Sequence, residues 1–332
     1  MSNLLFSILT DLSDGQFHSG EAIAKKHNIS RVSVWNTLSQ ADSIGIDIFS
    51  VRGKGYRLSQ PITILETKKI EKAIGEESNW FNIEVNNVLD STNTVLMNKA
   101  SRGHPHASCL AANIQTSGKG RRGRRWISAL GQNLTFSFLW RFNQGAASLS
   151  GLSLVVGTAI IRALKKIGLH KALLKWPNDV LVLHEGLYKK LAGTLIELQG
   201  DMEGKSLAVI GIGLNLDLSK KQLEKIDQEA IDLKTCLNEI INPNELLAII
   251  IKELAQVLSD FESGGFNVIK DEWKNSHAFQ DKVISLTKGD GQIINGRVSD
   301  INNDGSIVIY TEKGHETFTE GEISINKNWD KS

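Results

Sequence analysis

Apolar residues recur at helical spacing from the start of the chain: Leu4, Leu5, Ile8, Leu9 and Leu12 share one helix face. A short helix over Gly20–His27 follows. After a turn at 28–30, Ser30 is placed to cap a second helix over 31–41. Val34 and Leu38 give that helix an inner face, and Arg31, Ser33, Asn36, Thr37 and Gln40 give it a polar outer one. Past Gly45, residues 46–52 alternate as a strand. Gly53, Lys54 and Gly55 turn the chain, and Tyr56, Arg57 and Leu58 return it. Two short helices and a hairpin predict a winged helix-turn-helix over 1–62. Residues 61–64, opening on Pro61, read as a linker.

Over 65–275 the pattern is mixed. A short helix over 65–80 precedes a strand over 81–89. Apolar Val95, Leu96 and Ala100 then take helical spacing. Asp90, Ser91, Thr92 and Asn93 fill that strand–helix junction. They serve equally to cap the helix or to bond a small polar ligand group. Strands are predicted over 110–115 and 134–140, and a strongly apolar helix over 151–167 reads as the core helix behind a sheet. Lys175-Trp-Pro-Asn-Asp179 forms a sharp turn between strands. Strands over 191–198 and 207–215 carry Gly193, Gly211 and Gly213 inside them, and Lys190 stands at the head of the first. Glycine weakens a strand unless a ligand or backbone must come close. An amphipathic helix runs over 240–261, with Asn242-Pro-Asn244 as its start signal. Short strands and glycine turns over 278–328 predict a small β-barrel.

Composition narrows the picture only a little. The 332 residues suffice for two or three domains. With 38 Lys and Arg against 37 Asp and Glu, any strongly basic character must be local. Cys109 and Cys236 form no CxxC, which fits a reducing cytoplasm. The N-terminus lacks a basic leader, and no apolar run is long enough to span a bilayer, so neither a signal peptide nor membrane association is expected. His104 and His106 are a possible metal pair without further ligands nearby, so no protein metal site is expected.

The local charge sits in Gln115-Thr-Ser-Gly-Lys-Gly-Arg-Arg-Gly-Arg-Arg-Trp126, where three glycines interleave with five cations. Glycines let backbone N–H groups approach an anion, and arginines add paired donors for phosphate or carboxylate. The spacing Gly118-x-Gly120-x-x-Gly123 also fits a dinucleotide fingerprint. That motif needs a helix opening at the glycines, and the sequence here leads into a strand, so the dinucleotide reading is rejected.

Four motifs then stand in one order: Gly118-Lys-Gly-Arg-Arg-Gly123, Lys175-Trp-Pro-Asn-Asp179, Lys190-Leu-Ala-Gly193 and Gly211-Ile-Gly-Leu-Asn215. Together they resemble the biotin–protein ligases. With the winged module in front, and Gly321-Glu-Ile-Ser324 near the end, they resemble the bifunctional class that also represses the biotin operon. The resemblance implies an α+β chain: a winged helix-turn-helix, a class II synthetase-like mixed-sheet ligase domain and an SH3-like β-barrel. It implies that biotin and ATP, with magnesium, form biotinyl-5′-adenylate. The biotinyl group then passes to a lysine of biotin carboxyl carrier protein. It implies biotin contacts at Ser91, Thr92, Asn93, Gln115, Lys119, Gly120, Arg121 and Lys190. Adenylate or ATP contacts fall to Arg122, Arg124, Trp126, Lys175, Asn178 and Asn215. Lys190, Arg121 and Asp179 are the implied catalytic set, Asp179 orienting the entering amine or the metal. DNA contacts fall to Arg31, Ser33 and Asn36 on the second helix and to Arg52, Lys54 and Arg57 at or near the wing tip. Biotinyl-5′-adenylate would be the corepressor, joining two chains into a homodimer on operator DNA.

The family loop usually reads Gly-Arg-Gly-Arg-Arg-Gly, and Lys119 stands at its first arginine. Charge is kept while the planar fork is lost, so looser adenylate retention is expected. The segment from Asp179 to Lys190 is longer than the family pattern, which leaves Lys189 and Lys190 both open for the lysine role. Two rival readings stand beside the ligase: a lipoate-type ligase of the same fold, and a ligand-sensing transcription factor without activity.

Overall fold

A computed structural model describes residues 3–44 and 46–325. Gly45 in the first module and 326–328 of the expected barrel lie outside the described residues.

In the N-terminal module, α1 (Asn3–Asp11), α2 (Gly20–His27) and α3 (Arg31–Leu38) enclose a core of Leu5, Ile8, Leu9, Leu12, Ile23 and Val34. Ser30 caps α3 as expected, its Oγ accepting from the Ser33 N–H at 3.0 Å. The helix stops at Leu38 rather than 41. Thr37, expected on the polar face, is buried, because a helix of only 8 residues on so small a module must turn that position inward. The hairpin of β1 (Ile48–Val51) and β2 (Gly55–Leu58) forms the wing. Arg52 and Lys54 occupy its exposed tip. Arg57 does not: its guanidinium lies 4.8 Å over the Phe17 ring and 5.3 Å over Phe49, so it rivets the wing base.

The expected linker is packed rather than free. Ile64 is buried in one cluster with the N-terminal core and with Ile114 and Leu130 of the next domain. Asn113 Oδ1 accepts from the Leu65 N–H at 2.9 Å, and Asn244 Nδ2 donates to the Ile64 carbonyl at 3.1 Å. Ile114 and Leu130 flank the basic loop, so the N-terminal module grips both ends of it.

The central domain opens with α4 (Thr67–Ile74), β3 (Asn82–Leu89), α5 (Thr92–Ala100), β4 (Ser108–Gln115), β5 (Asn133–Phe142) and α6 (Leu152–Lys166). It continues with β6 (Ala172–Lys175), β7 (Asp179–His184), β8 (Leu187–Gly200) and β9 (Ser206–Asn215). Then come the short α7 (Lys220–Leu223) and α8 (Leu233–Leu237), the long α9 (Pro243–Gly264) and α10 (Lys270–Asn275). Seven strands form one mixed sheet in the order β3-β4-β5-β9-β8-β7-β6, with β3 and β4 parallel. Period-2 alternation sorts its faces. Leu134, Phe136, Phe138 and Phe142 of β5 join the core built by α6 and α9, while Thr135 and Ser137 face the other way. On that second face Thr135, Gly213, Gly193 and Asp179 align across four strands. The aligned glycines lower the floor of a pocket.

The C-terminal module is one antiparallel sheet of β10 (Val283–Thr287), β11 (Ile293–Ile301), β12 (Ile307–Thr311), β13 (Gly314–Phe318) and β14 (Glu322–Ile325). His277 stands where this module meets the edge strand β6, its ring 4.6 Å from that of Trp273. Burial pushes its imidazole down to about 4, and the Lys282 charge acts in the same direction. The unfolded chain takes up a proton near pH 6.5 that the folded chain refuses until about pH 4. Stability should fall as pH drops through that window, by about 3 kcal/mol, and level off for this group below it. Urea unfolding across the window measures the loss, and His277→Gln should remove it.

Candidate functional site

The basic loop is folded on itself. Lys119 and Arg125 form a bridge, the Gly120 N–H donates to the Arg124 carbonyl at 2.7 Å and the Trp126 N–H to that of Gly118 at 2.9 Å. A Cβ on Gly118 would lie 2.5 Å from the Trp126 carbonyl, so this close return needs glycine. Arg122 takes a left-handed φ of 55°, and that kink divides the arginines. Arg121 turns inward and donates to Asn178 Oδ1 at 2.9 Å. Burial, then the Arg122 charge, holds its guanidinium below the ordinary arginine range. Arg122 and Arg124 turn toward the C-terminal module, where Arg124 grips both carboxylate oxygens of Glu322.

Beneath the loop lies a cleft of about 530 Å³, bordered by Arg121, Arg122, Arg124, Lys175, Lys190 and Glu322. Lys175 is half-buried, and desolvation lowers its pKa. Cations outnumber carboxylates here, so the cleft favours a polyanion. It opens into a narrow pocket of about 50 Å³, which Thr92, Asn93, Gln115, Lys119, Gly120 and Gly211 help to line. Trp126 and Lys190 border both spaces. Ser91 caps α5, its Oγ near the Thr94 N–H at 3.5 Å, and it also lines the pocket, so capping leaves room for a ligand contact there.

Lys190 stands inside β8 rather than at its head, beside a β-bulge. Val180 pairs with Ala192 while Leu181 pairs with Lys190, leaving Leu191 extra. In an unbroken ladder Leu181 would face Leu191. The bulge puts Lys190 there instead, on the face of Asp179. Lys190 Nζ lies 2.7 Å from Asp179 Oδ1 and 5.8 Å over the Trp126 ring. Lys189 points away, to Glu185 at 3.4 Å. Each strand glycine makes room for a side chain. A Cβ on Gly211 would meet Asn93 Oδ1 at 2.2 Å, on Gly213 the Trp126 ring at 2.3 Å, and on Gly193 the Lys190 side chain at 2.9 Å.

Asn215 lines a small pocket with Arg125, Trp126 and Lys190. It is buried, and its Nδ2 donates to the Lys190 carbonyl at 3.3 Å and to that of Ile231 at 3.0 Å. It braces the backbone behind the lysine and does not border the large cleft. Other residues at the site were not among the expected contacts. Glu322 comes from the last strand, although its motif was visible. Ser137 is a small polar residue in an aromatic strand, and Glu197 a carboxylate near the end of an apolar one. In α3, Val32 and Trp35 are exposed beside Arg31 and Asn36.

Comparison with known proteins is decisive. Residues 85–215 match the model of the biotin/lipoate A/B protein ligase family, 5–57 an HTH domain and 282–325 the biotin protein ligase C-terminal domain. The bifunctional ligase/repressor BirA of Salmonella typhimurium is 34% identical over 319 residues, 96% of each chain. That of Escherichia coli is 34% identical, covering 95% of this chain and 94% of its own. This chain belongs to the bifunctional ligase/repressor BirA family. Among solved structures, biotin protein ligase from Aquifex aeolicus in complex with biotin and ATP matches with a TM-score of 0.62 at 29% identity. That match covers 74% of this chain and 98% of that one. Among the described residues of this family member, no helix is long and apolar enough to cross a membrane.

Proposed function

We propose that the chain activates biotin with ATP to biotinyl-5′-adenylate and transfers biotin to a lysine of biotin carboxyl carrier protein. The carrying observation is a cationic cleft joined to a narrow polar pocket at Lys190. The pocket receives the biotin ring against Ser91, Thr92, Asn93, Gln115 and Gly120, and the cleft receives the nucleotide beside Arg122, Arg124, Lys175 and Asn178. The biotin carboxylate attacks the α-phosphate and pyrophosphate departs. Arg121 and Lys190 offset the repulsion between the two anions, most strongly in the transition state. Asp179 holds Lys190 in line. Magnesium would enter on the ATP phosphates. The carrier amine then attacks the acyl carbon and AMP leaves. Residues 1–62, 65–275 and 278–328 divide these tasks, in a cytoplasmic protein. Pyrophosphate release should be faster with biotin than with lipoate or octanoate. Equal release with lipoate would move the activity to the lipoate-type ligases.

The N-terminal module, in this reading, is a repressor of biotin synthesis genes. Arg31, Ser33 and Asn36 of α3 meet operator DNA with Arg52 and Lys54 of the wing, while Arg57 keeps the wing in shape. Carboxylates at Asp11, Asp14, Glu21, Asp42 and Asp47 offset much of that charge, so one copy should hold DNA poorly at physiological salt. The adenylate orders the loop whose ends pack on this module, and two chains then bind a two-fold operator together. Sedimentation should show a dimer only with biotin and ATP, and a gel shift should strengthen in step. Equal DNA affinity in both states would dismiss the switch.

A further inference from the structure

A hydrogen-bonded wall runs behind the narrow pocket, and its contacts fix where the protons lie. Asn93 donates its amide hydrogens to Glu197 Oε2 at 2.9 Å and to the Leu195 carbonyl at 3.2 Å. Its Oδ1 is thereby turned to Ser137 Oγ, 2.5 Å away. Ser137 Oγ also lies 2.7 Å from Thr92 Oγ1. A hydroxyl has one hydrogen and cannot donate to both. Asn93 Oδ1 has no hydrogen to offer, so Ser137 donates to it and accepts from Thr92. The Thr92 proton is then spent, and its 3.1 Å contact with Gln115 Oε1 carries none. Gln115 Oε1 accepts instead from the Thr92 backbone N–H at 2.7 Å. Thr92 and Asn93 are 3% exposed and Ser137 0%, so water does not rearrange this order freely.

The wall therefore ends in lone pairs on Thr92 and Gln115, two residues that line the pocket. Glu197 lies outside the lining. We infer that Glu197 is a positioning residue: its carboxylate sets the direction of the relay and makes the pocket wall an acceptor for a ligand N–H. An ionised carboxylate only accepts, so it holds the Asn93 amide one way round. Without it the amide is free to turn, and each hydroxyl proton can reverse, closing the lone pairs that face the ligand. A ureido ring brings two N–H donors, whereas a dithiolane ring brings none. A wall of fixed acceptors rejects the second, because its polar atoms would be buried unpaired.

The inference rests on the biotin reading above, and the test separates the two. In full-length protein, Glu197→Met should raise the KM for biotin about tenfold, with kcat and the KM for ATP within about twofold. Glu197→Gln brings a donor as well as an acceptor to Asn93, so it fixes the amide less firmly and should raise the biotin KM less than Glu197→Met does. Ser137→Ala cuts the same relay and should match Glu197→Met. The double variant should be no worse than either alone, because both remove one chain of bonds. Ser137→Ala carries the test by itself if Glu197→Met does not fold. An unchanged biotin KM in Glu197→Met, an equal rise in the ATP KM, a rise in Glu197→Gln as large as in Glu197→Met, or multiplied losses in the double variant would each overturn the relay. A wild-type protein that releases no pyrophosphate with biotin overturns the ligase reading as well.

Discussion

Replacing Lys190 by Ala is expected to slow adenylate formation by about 10²–10³, roughly 3 kcal/mol of transition-state stabilisation. The Lys190 side chain is 15% exposed, its ammonium bordered by Asp179 and the Trp126 ring, at the junction of pocket and cleft. It meets the most charge while the carboxylate and α-phosphate share an oxygen. Pyrophosphate release in a single turnover measures the effect, and transfer from added biotinyl-adenylate should suffer much less. Asp179, its side chain 11% exposed, loses its ion-pair partner in this change, so the variant should also unfold more easily. Adding Asp179→Asn should restore the fold without restoring the rate. Lys189→Ala, on the opposite side beside Glu185, should leave the rate within about twofold. If Lys189→Ala is the slow variant, the assignment is reversed.

Gly213→Ala should be nearly as damaging, though no charge changes. Its Cβ would stand 2.3 Å from the Trp126 ring, and the ring is too rigid to yield locally. Overpacking of this kind costs about 1–3 kcal/mol, here by tilting the indole away from its seat beside Lys190. Biotin affinity by calorimetry should fall about 100-fold at the upper end of that range. Smaller partners should repair the packing, so Gly213→Ala with Trp126→Leu should regain stability while affinity stays low. Wild-type affinity in the single variant would show that the floor need not be bare.

Much of this was legible in the chain. Helical spacing in 4–12 and the Ser30 cap located the N-terminal helices, because both act within a few residues. Alternation placed the sheet strands, and the ordered motifs gathered most of the site, since glycines and cations cannot be exchanged there without losing fit or charge. Sequence spacing also marked Gly193, Gly211 and Gly213, although the partners they admit are side chains and not a backbone.

The remainder needed the tertiary structure. One extra residue at Leu191 decides that Lys190 meets Asp179, and a period of two reports faces without reporting a bulge. The left-handed turn at Arg122 sends Arg121 to the pocket and Arg124 to Glu322, which lies 198 residues further along the chain. Arg57 looked like a wing-tip cation until Phe17 and Phe49 were found beneath it. The segment after Pro61 looked like a linker until Ile64 was found packed with Ile114 and Leu130. Local pattern thus determined the elements and the type of chemistry. Register, long-range packing and the sharing of single protons decided which atom faces the ligand, because those depend on neighbours far away in sequence.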